Sequence, residues 1–260
     1  MTAGLRLIAA AFLTAAIMVV VGWGVSGIAM VGPLAGRRIA ALVPQIEVSA
    51  LFVIGVALGG RMLDAERRPG FWQALAVTAR GPQCVIARAA GAELAIVVQL
   101  LGGGMVVWLL ASVLPGGPAL RDIASSRLLL TAFALFGVGL SGWASAACRG
   151  GLTALAVRLG VVVAMLAVPF AVAPVIAIAG ARPELIAAAM LASPWIVAAG
   201  ATGLDLLRMQ WLYAFSPLGS LEASYPGLCA AVAAYGGAGL LMLALAARAV
   251  RHGAATRVVS

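Results

Sequence analysis

One serine stands in a setting typical of a catalytic nucleophile, Ser141 within the motif GLSG at 139–142. A serine nucleophile needs a base, usually a histidine, within hydrogen-bond reach. The chain has a single histidine, His252, which follows Arg248 and Arg251 in a polar tail beyond the last apolar run. We therefore expect Ser141 to be a small packing residue, and we do not expect the chain to be an enzyme.

Metal and nucleotide chemistry find no support in the residue pattern either. Cys84, Cys148 and Cys229 are far apart and form no CxxC or other metal-binding spacing. The chain has no lysine, so it cannot contain the GxxxxGK[ST] loop of a P-loop ATPase. We expect no cofactor, metal site or nucleotide-binding domain in this chain. A nucleotide-driven function would use an ATPase on another polypeptide.

The composition predicts an integral membrane protein that crosses the bilayer several times. Of 260 residues, 64% are hydrophobic and 10% are charged, and the mean hydropathy is +1.12. The net charge of +9 comes from 17 arginines. They stand singly or in pairs at the ends of apolar runs, where they act as topology signals. Nucleic-acid binding would need them on one face with interleaved aromatics, so we do not expect it.

The apolar runs predict an all-α fold that forms a single transmembrane domain over residues 1–260. A helix needs roughly 20 apolar residues to cross a bilayer core. Six segments meet or approach this length, and we predict spans at about 7–30, 46–62, 92–114, 128–148, 159–181 and 226–247. The second is the weakest, because Gln45 and Glu47 crowd its start.

A seventh apolar stretch, 185–204, is ambiguous. Ser193-Pro194 breaks it in the middle, so it is either a full span or a pair of short helices dipping into the outer leaflet. With six spans and a cytoplasmic N-terminus, 11 arginines lie inside and 6 outside; a seventh span changes this to 9 and 8. The positive-inside rule therefore favours six spans with both termini cytoplasmic. The outside arginines are then Arg37, Arg38, Arg121, Arg127, Arg182 and Arg208.

Ionisable residues at mid-membrane depth are costly and usually mark a function. The apolar runs contain almost none. Glu47 and Glu93 lie near the ends of predicted spans, where a carboxylate can reach the interface. We expect them to have structural or positioning roles, and we expect no proton relay in this chain.

The loop after the second predicted span, DAERRPGFWQALAVTARGPQCVIAR at 64–88, is the one substantial polar feature on the cytoplasmic side. It resembles the stretch E-x-x-x-G-T-x-x-x-L-L-x-T-P found at this place in membrane permeases of the ABC type 2 exporter superfamily. Phe71 replaces the usual threonine and Ala79 stands where the proline would be. Four residues match position for position: Glu66, Gly70, Leu75 and Thr78.

The layout of the whole chain is similar to that of these permeases: six spans, a cytoplasmic coupling helix between spans two and three, and short interfacial or re-entrant helices between spans five and six. The resemblance implies an exporter subunit in a bacterial inner membrane that forms the translocation path, pairs with itself or a similar permease, and couples to two ABC ATPase subunits that bind ATP and Mg. It implies that the loop docks on the ATPase. The coupling residues would be Glu66, Arg67, Arg68, Gly70, Phe71, Trp72, Leu75 and Thr78.

Other interpretations remain open. The run Arg149-Gly150-Gly151 before a proline-bearing fifth span resembles the haem-exporter permease of cytochrome c maturation, although the long segment 182–224 does not fit that shorter protein. The GLSG motif resembles that of rhomboid intramembrane proteases. The loop at 64–88 would also suit an interfacial helix whose arginines meet anionic membrane lipid, and the fold would suit a non-transporting membrane scaffold.

Overall fold

The computed structural model describes residues 35–58, 82–148, 151–180, 183–203 and 225–258. Within these ranges all regular secondary structure is helical. The helices are α1 (Ala35–Leu58), α2 (Pro82–Val113), α3 (Leu120–Ala147), α4 (Gly151–Ile178), α5 (Pro183–Leu191), α6 (Pro194–Thr202) and α7 (Leu228–Val258). The prediction of an all-α protein is confirmed for this part of the chain.

Within the described ranges, four helices are long and apolar enough to cross a membrane. These candidate spans are Leu94–Val113, Leu120–Ala147, Gly151–Ile176 and Leu228–Ala249. A helix satisfies its own backbone hydrogen bonds, which is what a segment in lipid requires. Large apolar side chains of α4 and α7 are exposed, such as Val163 at 55% and Leu241 at 61%, as expected of helices that face lipid. The helices fit a multi-pass membrane protein.

Helix α1 differs from the predicted second span. It begins at Ala35, eleven residues before the predicted start at 46, and it ends at Leu58. Its apolar part is Ile39–Phe52, so Gln45 and Glu47 lie inside the helix and not at its start. The prediction placed Glu47 at the end of a span because it is charged. In the structure, Glu47 pairs with Arg127 of α3 and lies inside the helix. The predicted first span at 7–30 and the loop residues 59–81 lie outside the described residues.

The ambiguous stretch forms two helices of nine residues each, α5 and α6, bent by 110°. The break is local. Ser193 is extended (φ −101°, ψ 113°) at the start of α6 and Pro194 follows it, while Gly203 closes α6 in the left-handed region at φ +67°. Nine residues span about 14 Å of helix, whereas a bilayer core is about 30 Å thick. The stretch is therefore not one straight span.

The chain divides into two compact units. Unit 1 holds the described residues 35–50, 98–131, 163–180, 183–203 and 225–232; unit 2 holds 51–58, 82–97, 132–148, 151–162 and 233–258. In unit 2, the Phe133 and Phe136 rings of α3 meet Tyr235 of α7 edge-on, at centroid distances of 4.6 and 5.5 Å. A side chain on Gly239 would meet the backbone of Leu135, so α3 and α7 pack in close contact there.

Candidate functional site

The candidate functional site is a buried ion pair in unit 1. Glu47 of α1 is completely buried, and its Oε1 accepts a hydrogen bond of 2.5 Å from Nη1 of Arg127 on α3. The same Nη1 donates to the carbonyl oxygen of Leu101 on α2, at 3.1 Å. One charged contact thus joins three helices.

Helix α2 is shaped to receive this pair. A Cβ atom added to Gly104 would overlap Oε1 and Cδ of Glu47, so the carboxylate occupies the space that only glycine leaves. One turn further along, the buried ring of Trp108 lies 5.7 Å from Cζ of Arg127, within the range of a cation–π contact. Over two turns, α2 therefore offers a carbonyl acceptor, a gap and an aromatic face.

The pair lies opposite the middle of a candidate span. Gly104 is nine residues from Val113, the end of the Leu94–Val113 segment, which corresponds to about 14 Å of helix. Two expectations are therefore wrong: Glu47 does not reach a water-facing boundary, and Arg127, whose side chain is 16% exposed, is not simply a topology charge in an outer loop. Both charged groups are buried in contact with each other, and their mutual attraction offsets part of the cost of removing each charge from water.

Several polar atoms around the pair are buried without a hydrogen-bond partner: Oε2 of Glu47, Nε and Nη2 of Arg127, and Nε1 of Trp108. Each such atom costs about 1–3 kcal/mol relative to a satisfied one. A buried pair with unused donors and acceptors is weak evidence for stability. In a membrane helix, a retained charge is by default a sign of function.

The opposite side of α1 also carries polar contacts. Gln45 Nε2 donates to the Trp195 carbonyl oxygen at 3.3 Å, and Trp195 Nε1 donates to Ser49 Oγ at 3.0 Å. At the other end of α6, a Cβ on Gly203 would lie 3.3 Å from Nη2 of Arg37. Helix α6 therefore runs antiparallel along α1, and α1 is held by polar contacts to α6 on one side and to α2 and α3 on the other.

The start of α1 packs against the turn between α2 and α3. The backbone N–H of Gly36 donates to the carbonyl oxygen of Pro115 at 3.2 Å. A Cβ on Gly36 would lie 2.5 Å from the carbonyl oxygen of Ala111, so the close approach requires glycine. Because Arg37 also lies beside Gly203, the start of α1, the α2–α3 turn and the end of α6 share one end of unit 1.

The residues predicted to couple to an ATPase, from Glu66 to Thr78, lie outside the described residues, and their role stays a prediction. Ser141 is buried in α3, 1% exposed. Among the residues that the structure describes, no group of three or more His, Cys, Asp and Glu side chains could hold a metal ion. Arg158, expected just before the fifth span at 159–181, instead lies inside α4 of unit 2. It is 2% exposed, and its Nε donates to the carbonyl oxygen of Ala154.

No protein-family model matches the chain, and no curated protein has a significant match to its sequence. Its own geometry and the loop motif therefore carry the functional argument.

Sequence reasoning missed the ion pair, although a signal was present. Glu47 and Arg127 are opposite charges within or beside separate apolar runs, and a run of three glycines, 102–104, lies in a third. Helices that exclude water favour pairing of such charges. Nothing in a single sequence, however, identifies which charge meets which.

Proposed function

We propose that the chain is the membrane-spanning permease subunit of an ATP-driven exporter of the ABC type 2 superfamily, working with separate ATPase subunits. The observation that carries the proposal is the pair α5 and α6, two nine-residue helices bent by 110°. They precede the last long helix, where the resemblance expects short interfacial or re-entrant helices. The loop motif at 66–78 points to the same family.

The geometry of unit 1 supports a six-span arrangement, with 7–30 as the first span and α1 as the second. The hydrogen bond from Gly36 to Pro115 and the approach of Arg37 to Gly203 bring three segments to one end of unit 1: the start of α1, the α2–α3 turn and the end of α6. These follow predicted spans one, three and five, which must end on the same side of a membrane. Without the buried Arg127 and Arg158, the predicted arginine count is 10 on the cytoplasmic side and 5 on the other. This count assigns the shared end to the exterior, and hence both termini to the cytoplasm of a bacterial cell.

Coupling would pass through the loop that joins α1 to α2. ATP-driven closure of the ATPase subunits would push on the predicted coupling helix at 66–78 and so on both helices that it connects. Helices α1 and α2 also meet at the buried ion pair, through Glu47 and Gly104. The path would lie between two permeases, and the apolar character of the spans favours an apolar or amphipathic substrate over a bare ion.

The test is purification of the intact protein from its native membranes in mild detergent. We expect a stoichiometric P-loop ATPase to accompany it. Leu75→Asp should release that partner, because Phe71, Trp72, Leu75 and Thr78 share one face of the predicted coupling helix. The matched control is Gln73→Asp, which introduces the same charge on the opposite face and should leave the partner bound.

Either of two results would overturn the proposal. One is a pure protein without an ATPase in more than one detergent, which would favour a membrane scaffold. The other is equal retention of the ATPase by the Leu75→Asp and Gln73→Asp variants, which would place the docking site elsewhere.

A further inference from the structure

Helix α1 contains a proline within one turn of its buried charge. Pro44 lies inside the helix, three residues before Glu47. It has no N–H group to donate to the carbonyl of Ala40, and proline is the commonest cause of a bend in a helix. The two elements of a conformational device, a flexible point and a polar contact, are therefore adjacent.

The facing part of α2 is weakened in the same region. Gly104 touches the carboxylate of Glu47 and follows two further glycines, at 102 and 103. Glycine is the poorest helix former after proline. Gly104 allows α2 to approach the charged group of α1 closely. The run of three glycines makes the backbone there easier to deform than the leucine- and valine-rich turns on either side.

The hydrogen bonding of the pair is incomplete in the arrangement seen here. Only Nη1 of Arg127 is used, while its Nε and Nη2 atoms and Oε2 of Glu47 are buried without partners. These three atoms have no surface that a water molecule could reach. A separation of α1 from α2 and α3 would hydrate all of them, which offsets the loss of the ion pair.

We propose that Glu47 and Arg127 form a breakable lock on a hinge at Pro44. The lock alternates between the closed contact and an open arrangement in which both charged groups are hydrated. The contact from Gly36 to Pro115 holds the start of α1 in place. The moving part therefore begins at residue 45 and includes the start of α6, where Trp195 is bonded to Gln45 and Ser49. This device belongs to the chain itself and does not depend on an ATPase partner.

Hydrogen–deuterium exchange of the full-length protein in lipid nanodiscs tests the lock. Glu47→Gln removes the charge that holds Arg127, so the open arrangement becomes more populated. We expect the amides of residues 45–50 to exchange about ten- to a hundredfold faster than in the wild type. The amides of residues 128–131 in α3 should keep their wild-type rates. An equal rise in both segments, or no rise at 45–50, would overturn the proposal.

A second variant separates a lock from a static support even if Glu47→Gln fails to fold. Replacing both charged residues, Glu47→Leu with Arg127→Leu, removes the groups that gain from hydration. A lock then stays closed, and exchange at 45–50 should fall below the wild-type rate. Pro44→Ala should slow the same amides by restoring a helical hydrogen bond. Faster exchange in the double variant, with a lower unfolding temperature, would show that the pair is only a support.

Discussion

Replacement of Gly104 by alanine should break the contact around which unit 1 is built. The added Cβ would occupy the position of Oε1 and Cδ of Glu47. The carboxylate must then turn away from Arg127, or α1 must move away from α2. Gly102→Ala is the matched control, because its Cβ would meet no atom within 4 Å.

The expected change in the free energy of unfolding follows from two opposing effects. Either substitution gains about 1 kcal/mol of helix propensity in a helix interior. Breaking a buried ion pair by displacing one partner costs about 3–5 kcal/mol. Because the propensity gain is common to both variants, we expect Gly104→Ala to be about 3 kcal/mol or more less stable than Gly102→Ala. Gly102→Ala should equal or exceed the wild type.

Titration with sodium dodecyl sulfate in mixed micelles, followed by circular dichroism, measures the free energy of unfolding for each variant. Glu47→Asp combined with Gly104→Ala should recover part of the loss, because the shorter side chain withdraws the carboxylate by one methylene. If the two alanine variants agree within about 1 kcal/mol, the carboxylate does not lie against Gly104 and the reasoning is refuted.

Two further predictions use the same unfolding measurement. Gly239→Ala should destabilise unit 2 by about 1–3 kcal/mol, because its Cβ would lie 2.6 Å from the Leu135 carbonyl group. Gly237→Ala is the control and should cause no such loss, because its Cβ would meet nothing within 4 Å. A larger loss for Gly237→Ala than for Gly239→Ala would contradict the α3–α7 contact. Trp195→Phe and Ser49→Ala should each cost about 1 kcal/mol by removing the bond between Nε1 and Oγ. The double variant should cost little more than either alone, and fully additive losses would show that the bond is absent.

The parts of the fold that depend on local chemistry were predictable. Long apolar runs gave the four candidate spans, and Ser193-Pro194 located the break between α5 and α6, because proline acts on its own helix. The limits of α1 were not predictable by the same logic. A glutamate inside an apolar run predicts the end of a membrane span unless the residue that pairs with it is known.

The candidate site depends on contacts between distant residues. Arg127 lies 80 residues after Glu47, and the gap that accommodates the carboxylate comes from a third helix, at Gly104. Taken alone, each residue has an ordinary explanation. Glu47 could mark the end of a span, Arg127 could be a loop charge, and Gly104 could be a flexible point in a helix. Only the tertiary packing combines them, which is why the sequence led to no expectation of a charged contact opposite the middle of a candidate span.

The separation of the two charges also has a consequence for biogenesis. A ribosome adds about 5–20 residues per second, so the 80 residues between Glu47 and Arg127 take about 4–16 s to synthesise. During this interval α1, the proposed second span, would hold an unneutralised carboxyl group, and a charged residue at a helix centre costs about 2.5–3.5 kcal/mol during insertion by the translocon. We therefore expect α1 to settle into the bilayer late, after α3 has supplied the guanidinium. The order of synthesis and the order of integration into the membrane would then differ.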